Sequence, residues 1–207
     1  MVLKLDFAKA FDTVIWDSLI RIMQARGFDQ LWCDWILNIL SSSKSAVLVN
    51  GCPGNWINCK RGLRQGHRAT PYRPICFLLV ADTLQTMLRS ASSIKHPIDP
   101  DAPCVVLQYA DDTLIVLKGD CQAVQTLKTV LDDFSDATGL KINYSKSTMV
   151  PVHLDQAIAD QCASILGCSQ ESFPQTYLGL PLSDHKLPVS AFSTKLIDIC
   201  QLGRPLS

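Results

Sequence analysis

Net charge is the first thing this sequence lacks: 19 lysines and arginines balance 19 aspartates and glutamates across 207 residues. That balance excludes the overall basic excess by which many nucleic-acid binders declare themselves. Paired cysteine motifs are missing too. Nine cysteines are present, but no CxxC occurs and no zinc-type spacing forms with the four histidines, so the thiols are expected to be reduced and mostly packed. A long hydrophobic run is absent as well. The longest, around Ile75 to Ala81, is too short to span a bilayer, and no signal peptide opens the chain. These absences predict an intracellular protein, nuclear or cytoplasmic, without a membrane partner.

What is present is unevenly distributed. Hydrophobic residues make up 47% of the chain, and its length suffices for one domain with its own core. No acidic residue falls between Asp34 and Asp82, whereas Lys44, Lys60, Arg61, Arg64, Arg68 and Arg73 do. From Asp99 to Asp136 eight aspartates face only Lys118 and Lys128. A basic block followed by an acidic block suits a site that joins cations to a polyanion, although two solvated faces have the same composition.

Periodicity predicts the elements. Apolar and polar residues alternate from Val2 to Phe7, which places Asp6 near a strand end. Trp16, Leu19, Ile20 and Met23 then recur at helical spacing up to Gly27, and Leu31, Trp35, Ile36 and Ile39 repeat the pattern with Asp29 as cap. Asp12 and Asp17 are read as capping or beginning the first of these helices. SAVLVNG and CPGNWINCKRG read as short strands around Asn50-Gly51 and Pro53-Gly54 turns, and an apolar helix is expected from about Pro74 to Leu88. CVVLQYADDTLIVLK reads as a hairpin, Val124 to Phe134 as a helix ended by Gly139, LKINYSKSTMV as a strand, DQAIADQCASILG as a helix and TYLGLPL as a short extended piece. The order predicts an α+β fold with an antiparallel sheet covered on one face by helices.

The hairpin carries the chemistry. Adjacent Asp111 and Asp112 at a tip are either a solvated turn or a crowded pair that needs a cation between them. Asp6, at the end of another predicted strand, supplies a third carboxylate if the strands are neighbours. Oxygen donors of this kind suit Mg²⁺, which shares its positions with water and phosphate oxygens. A pair of such ions suits in-line phosphoryl displacement.

LDFAKAFD, RGLRQG, YADD, GLKINYSKS and YLGLPL, in this order over residues 1–182, resemble the reverse transcriptase of plant non-LTR, LINE-like retrotransposons. The resemblance implies a polymerase palm with an antiparallel sheet, and RNA-directed DNA synthesis from dNTPs on a primed RNA template with two Mg²⁺ or Mn²⁺ ions. It implies Asp6, Asp111 and Asp112 as metal ligands and catalytic carboxylates. Phe11 would lie under the sugar, and Gln65 and Gly66 would line the nucleotide pocket. Lys146 would approach the triphosphate, a solvated lysine being the plain alternative. Lys60, Arg61 and Arg64 would contact the nucleic-acid backbone, and Tyr177 to Leu182 would form a primer grip. His67 stands where the pattern has aspartate, and about three extra residues precede Pro74. Residues 1–182 are expected to form the palm-like domain, 183–207 a weakly structured remnant, with fingers and thumb largely missing. The alternative is an inactive palm remnant with at most weak nucleic-acid binding.

Overall fold

The structure is a computed structural model that describes residues 1–63, 72–99 and 101–192. Its centre is the strand predicted at the start of the chain. Strand β1 (Val2–Leu5) leads into the short helix α1 (Ala10–Thr13), then α2 (Trp16–Ala25) and α3 (Gln30–Ser41). Asp29 caps α3 by accepting from the Trp32 amide at 2.9 Å. Asp12 and Asp17 sit in the first turns of α1 and α2, but neither caps; the N-cap positions fall to Lys9 and Ile15, without a side-chain bond.

Four two-residue strands follow: β2 (Lys44–Ser45), β3 (Leu48–Val49), β4 (Cys52–Pro53) and β5 (Ile57–Asn58). The pair β3–β4 nests inside the pair β2–β5. Asn50 and Gly51 both have positive φ between β3 and β4, the backbone that a two-residue primed turn requires. Helix α4 (Tyr72–Ser90) then leads to β6 (Val105–Tyr109) and β7 (Asp112–Val116), the predicted hairpin. Helix α5 (Cys121–Thr138) ends at Gly139 in the left-handed region, as the sequence anticipates. Strand β8 (Thr148–Val150), helix α6 (Gln156–Leu166), β9 (Ser169–Gln170), β10 (Gln175–Tyr177) and β11 (Leu180–Leu182) complete the elements up to the short 3₁₀ turn at Val189–Phe192.

The main sheet has five strands in the order β6-β7-β1-β8-β9. It is mixed, which corrects the antiparallel expectation: β8 and β9 run parallel. The intervening α6 is the cause, because a crossover helix returns the chain in the same direction. LKINYSKSTMV forms a strand only at its end, the rest being a bridge at Ile142 and a turn.

Side-chain alternation assigns the two faces of β1. Leu3, Leu5 and Phe7 enter the core with Phe77, Val80 and Leu84 of α4 and Val124, Leu127, Leu131 and Phe134 of α5. Lys4 faces the other way, where its ammonium donates to the Thr176 carbonyl of β10 at 2.8 Å. Helix α3 departs from its predicted stripe. Cys33, Ile36 and Leu40 are its buried residues, whereas Leu31, Trp32, Trp35 and Ile39 are exposed. The helix therefore carries a second apolar face beside the packed one. The eight described cysteines are free; Cys33, Cys76, Cys104 and Cys162 are buried and Cys52 is exposed.

Candidate active site

The C-terminal end of β1 is where the candidate residues meet. Antiparallel pairing of β1 with β7 ends with Leu5 opposite Thr113, so Asp6 follows the end of β1 where Asp112 begins β7. Asp111 occupies the two-residue turn between Tyr109 and Asp112, with Ala110 before it at φ 53°. Asp111 and Asp112 are exposed and Asp6 is half-buried. The three aspartates thus stand at the ends of neighbouring strands.

Asp6 lies just beyond the ladder on its other side as well. Pairing between β1 and β8 stops at Lys4 with Thr148, and residues 144–146 leave as a turn. The ends of that excursion close on Asp6: its amide donates to Ser147 Oγ at 3.1 Å and its carbonyl accepts from the Asn143 amide at 2.8 Å. Lys146 is exposed in the turn. On the far side of the hairpin, Tyr177 and Leu178 line an apolar groove with Leu78, Gln108 and Tyr109. The Tyr177 hydroxyl is pushed up in pKa by burial first and by the negative charge of Asp112 second. The β10–β11 hairpin turns at Leu178 and Gly179, both at positive φ.

A second cluster surrounds Phe11. Its ring packs on Phe77 with centroids 4.3 Å apart, and the Arg73 guanidinium lies 4.1 Å from its centroid. Arg73, counted in the basic block from sequence, is therefore engaged in a cation–π contact. The RGL segment is fastened beside it. The Leu63 amide donates to the Phe11 carbonyl at 2.6 Å, the Gly62 amide to Val14 at 2.8 Å, and Trp16 Nε1 to the Gly62 carbonyl at 2.8 Å. Gly62 is required there: it has φ +86°, and a Cβ would stand 2.5 Å from the Asp12 carbonyl oxygen. Lys60 and Arg61 are exposed just before it. Arg64, Gln65, Gly66 and His67 lie outside the described residues.

Cation chemistry fits the donor set in kind, since Asp6, Asp111 and Asp112 offer only hard oxygen ligands. In number the fit is incomplete: among the described residues, no three histidine, cysteine, aspartate or glutamate side chains gather closely enough to hold a metal ion. The residues that sequence reasoning missed are Ser147 and Asn143. They stand within GLKINYSKS, but their signal is a backbone contact to Asp6, which no side-chain pattern announces.

Comparison with known proteins supplies the family. Residues 1–182 match the family described as reverse transcriptase (RNA-dependent DNA polymerase). A retrovirus-related Pol polyprotein from type-1 retrotransposable element R2 of Popillia japonica is 34% identical over 152 residues, 73% of this chain and 21% of that protein. The transposon TX1 uncharacterized 149 kDa protein of Xenopus laevis is 28% identical over 194 residues, 91% of this chain and 14% of its own length. The Pol polyprotein from type-2 element R2DM of Drosophila melanogaster is 28% identical over 151 residues, 73% of this chain and 14% of that protein. The chain thus spans less than a quarter of these relatives. Their sources give no support to the expected plant origin. The matched span and the R2 identity together make the chain a member of the reverse transcriptase (RNA-dependent DNA polymerase) family, related to the R2 and TX1 non-LTR retrotransposon elements.

Proposed function

We propose that this chain is the palm-like module of a retrotransposon reverse transcriptase which, by itself, binds nucleic acid weakly and does not polymerise. One observation carries the reading: the three motif aspartates share an edge of the sheet, yet no three acidic or other metal-ligating side chains among the described residues gather into a cation site. Residues 1–182 are the proposed module and 183–207 its tail. Weak binding falls to Lys60 and Arg61, which are exposed, together with Arg64, through phosphate contacts that carry no sequence information.

A second reading, RNA-directed DNA synthesis by this chain, is supported by the pairing of β1 with β7, which ends next to Asp6 and Asp112. Asp6, Asp111 and Asp112 would then hold magnesium or manganese, and when bound these ions supply the positive charge that such displacements need. The rest would fall to the chain. Phe11, stiffened between Phe77 and Arg73, would lie under the dNTP sugar, and Gln65 and Gly66 would line the nucleotide pocket. Lys146 would reach the triphosphate. Tyr177, beside Asp112, would orient the primer end.

The two readings separate in one assay. Purified chain, an oligonucleotide-primed RNA template, dNTPs and Mg²⁺ are expected to give no extension at any protein concentration, while filter retention of the template falls steeply with salt. Extension that disappears in Asp111→Ala would overturn the non-polymerising reading in favour of the second. A template not retained at low salt would remove nucleic-acid binding.

A further inference from the structure

Two cysteines far apart in sequence meet where α5 packs on α6. Cys121 is the first residue of α5, and Cys162 lies within α6. The loop entering α5 is pressed against the start of α6: a Cβ on Gly119 would stand 2.9 Å from the Leu154 side chain. Cys121 Sγ donates to Gln161 Oε1 at 3.3 Å, so its side chain is turned towards α6. A side-chain hydrogen bond and a charge interaction link the two thiols. Their surroundings differ. Cys121 is half-buried, whereas Cys162 has 0% exposure. Burial first, then the charge of Cys121 and its hydrogen bond, push the Cys162 thiol up in pKa. Cys162 is therefore protonated and out of reach of a reagent in solution, and Cys121 is the open side of the pair.

We infer that Cys121 and Cys162 form an oxidation site, at which a small peroxide oxidises Cys121 and the product closes a disulfide between α5 and α6. Hydrogen peroxide carries the oxidising equivalents. The Cys121 sulfur attacks one peroxide oxygen, the O–O bond breaks, water leaves and Cys121 becomes a sulfenic acid. The Cys162 sulfur then attacks the Cys121 sulfur. The S–O bond breaks, the S–S bond forms, and the hydroxyl departs as a second water with the Cys162 proton. Two thiols lose two electrons in total, and one peroxide is reduced to two waters. Oxidation of Cys121 also removes the charge and the hydrogen bond that help hold the Cys162 proton, which favours the second step. The closed loop contains β8, and closing a loop of that length removes freedom from the unfolded chain. The site concerns the packing of α5 on α6 and holds whether or not the chain binds nucleic acid.

The test treats the folded chain with hydrogen peroxide, blocks the remaining thiols with an alkylating reagent and reads the non-reduced peptides by tandem mass spectrometry. A link between Cys121 and Cys162 is expected as the main intramolecular product, reversed by dithiothreitol, with the melting temperature raised by roughly 5 °C. In Cys162→Ala, Cys121 is expected to stop as a sulfenic acid that a dimedone probe traps, and wild type to give much less of that adduct. Should Cys162→Ala fail to fold, Cys121→Ser, altered on the half-buried side of the pair, is expected to leave Cys162 a free thiol at the same dose of peroxide. A folded wild type that yields no such link, or that links Cys121 to Cys168 instead, would overturn the inference. So would loss of the Cys162 thiol in Cys121→Ser at the wild-type rate, because Cys162 would then react without Cys121.

Discussion

Tyr177 is the side chain that reports most directly on the carboxylates. Its pKa is raised by burial first and by Asp112 second, so the neutral phenol is favoured in the fold. The stabilisation this gives is present below the tyrosine's unfolded value of about 10 and is lost as pH rises through the folded one. Asp112→Asn is expected to lower the Tyr177 midpoint, measured by NMR titration of ring-labelled protein with Tyr177→Phe identifying the signal. An unchanged midpoint would separate the β10–β11 hairpin from Asp112. The thiols give a second check at this scale. Burial pushes Cys76 up to about 11 and Cys162 likewise to about 11, so neither is a thiolate at pH 8. Cys52 is exposed. An aromatic disulfide reagent at pH 8 is expected to label Cys52 rapidly, and Cys76 and Cys162 only after unfolding, as mass spectrometry of the peptides will show. Gly62→Ala meets both a positive φ and the Asp12 carbonyl. Its expected cost is about 1–3 kcal/mol in urea unfolding, and a loss under 0.5 kcal/mol would mean the RGL segment is not held where it lies.

At the level of elements, caps separate what the sequence announces from what only the fold decides. Asp29, Asp120 and Asp155 each accept from an amide at the start of their helix. Asp120→Ala is expected to cost about 1 kcal/mol, whereas Asp17→Ala, which removes no cap bond, should change stability little. Equal losses in thermal unfolding would contradict that distinction. The helix stripe Val124 to Phe134, the Asn50-Gly51 turn and the YADD hairpin were all legible, because each depends on residues close in sequence. The parallel β8–β9 pair was not, since it depends on how α6 packs before the chain returns. Nor was the exposure of Trp35 and Ile39. A helix with apolar residues around much of its circumference does not say which face meets the core, and Cys33, Ile36 and Leu40 won that place. The carboxylates were legible as motifs, but their neighbourhood with Ser147 was not, because a backbone bond across 141 residues leaves no periodic trace.

Across the whole molecule, the two faces of the sheet divide the work. Helices α4 and α5 pack the core against Leu3 and Leu5, while the other face of β1 is tied to the β10–β11 hairpin through Lys4. Among the described residues no helix is long and apolar enough to cross a membrane. Trp32, Trp35, Leu48 and Trp56 are exposed, and the Trp32 and Trp35 rings pack edge to face with centroids 5.4 Å apart.

The central proposal is that Asp6, Asp111 and Asp112 stand at neighbouring strand ends without gathering, among the described residues, into a cation site, so that the chain by itself does not polymerise. Its most direct test is a Mn²⁺ titration of isotope-labelled protein, read as paramagnetic broadening of backbone amide signals. Asp6, Asp111, Asp112 and Thr113 are expected to broaden no earlier than other exposed carboxylates, such as Asp184. Early broadening centred on the three aspartates, with Leu127 and Ala159 unaffected, would contradict it.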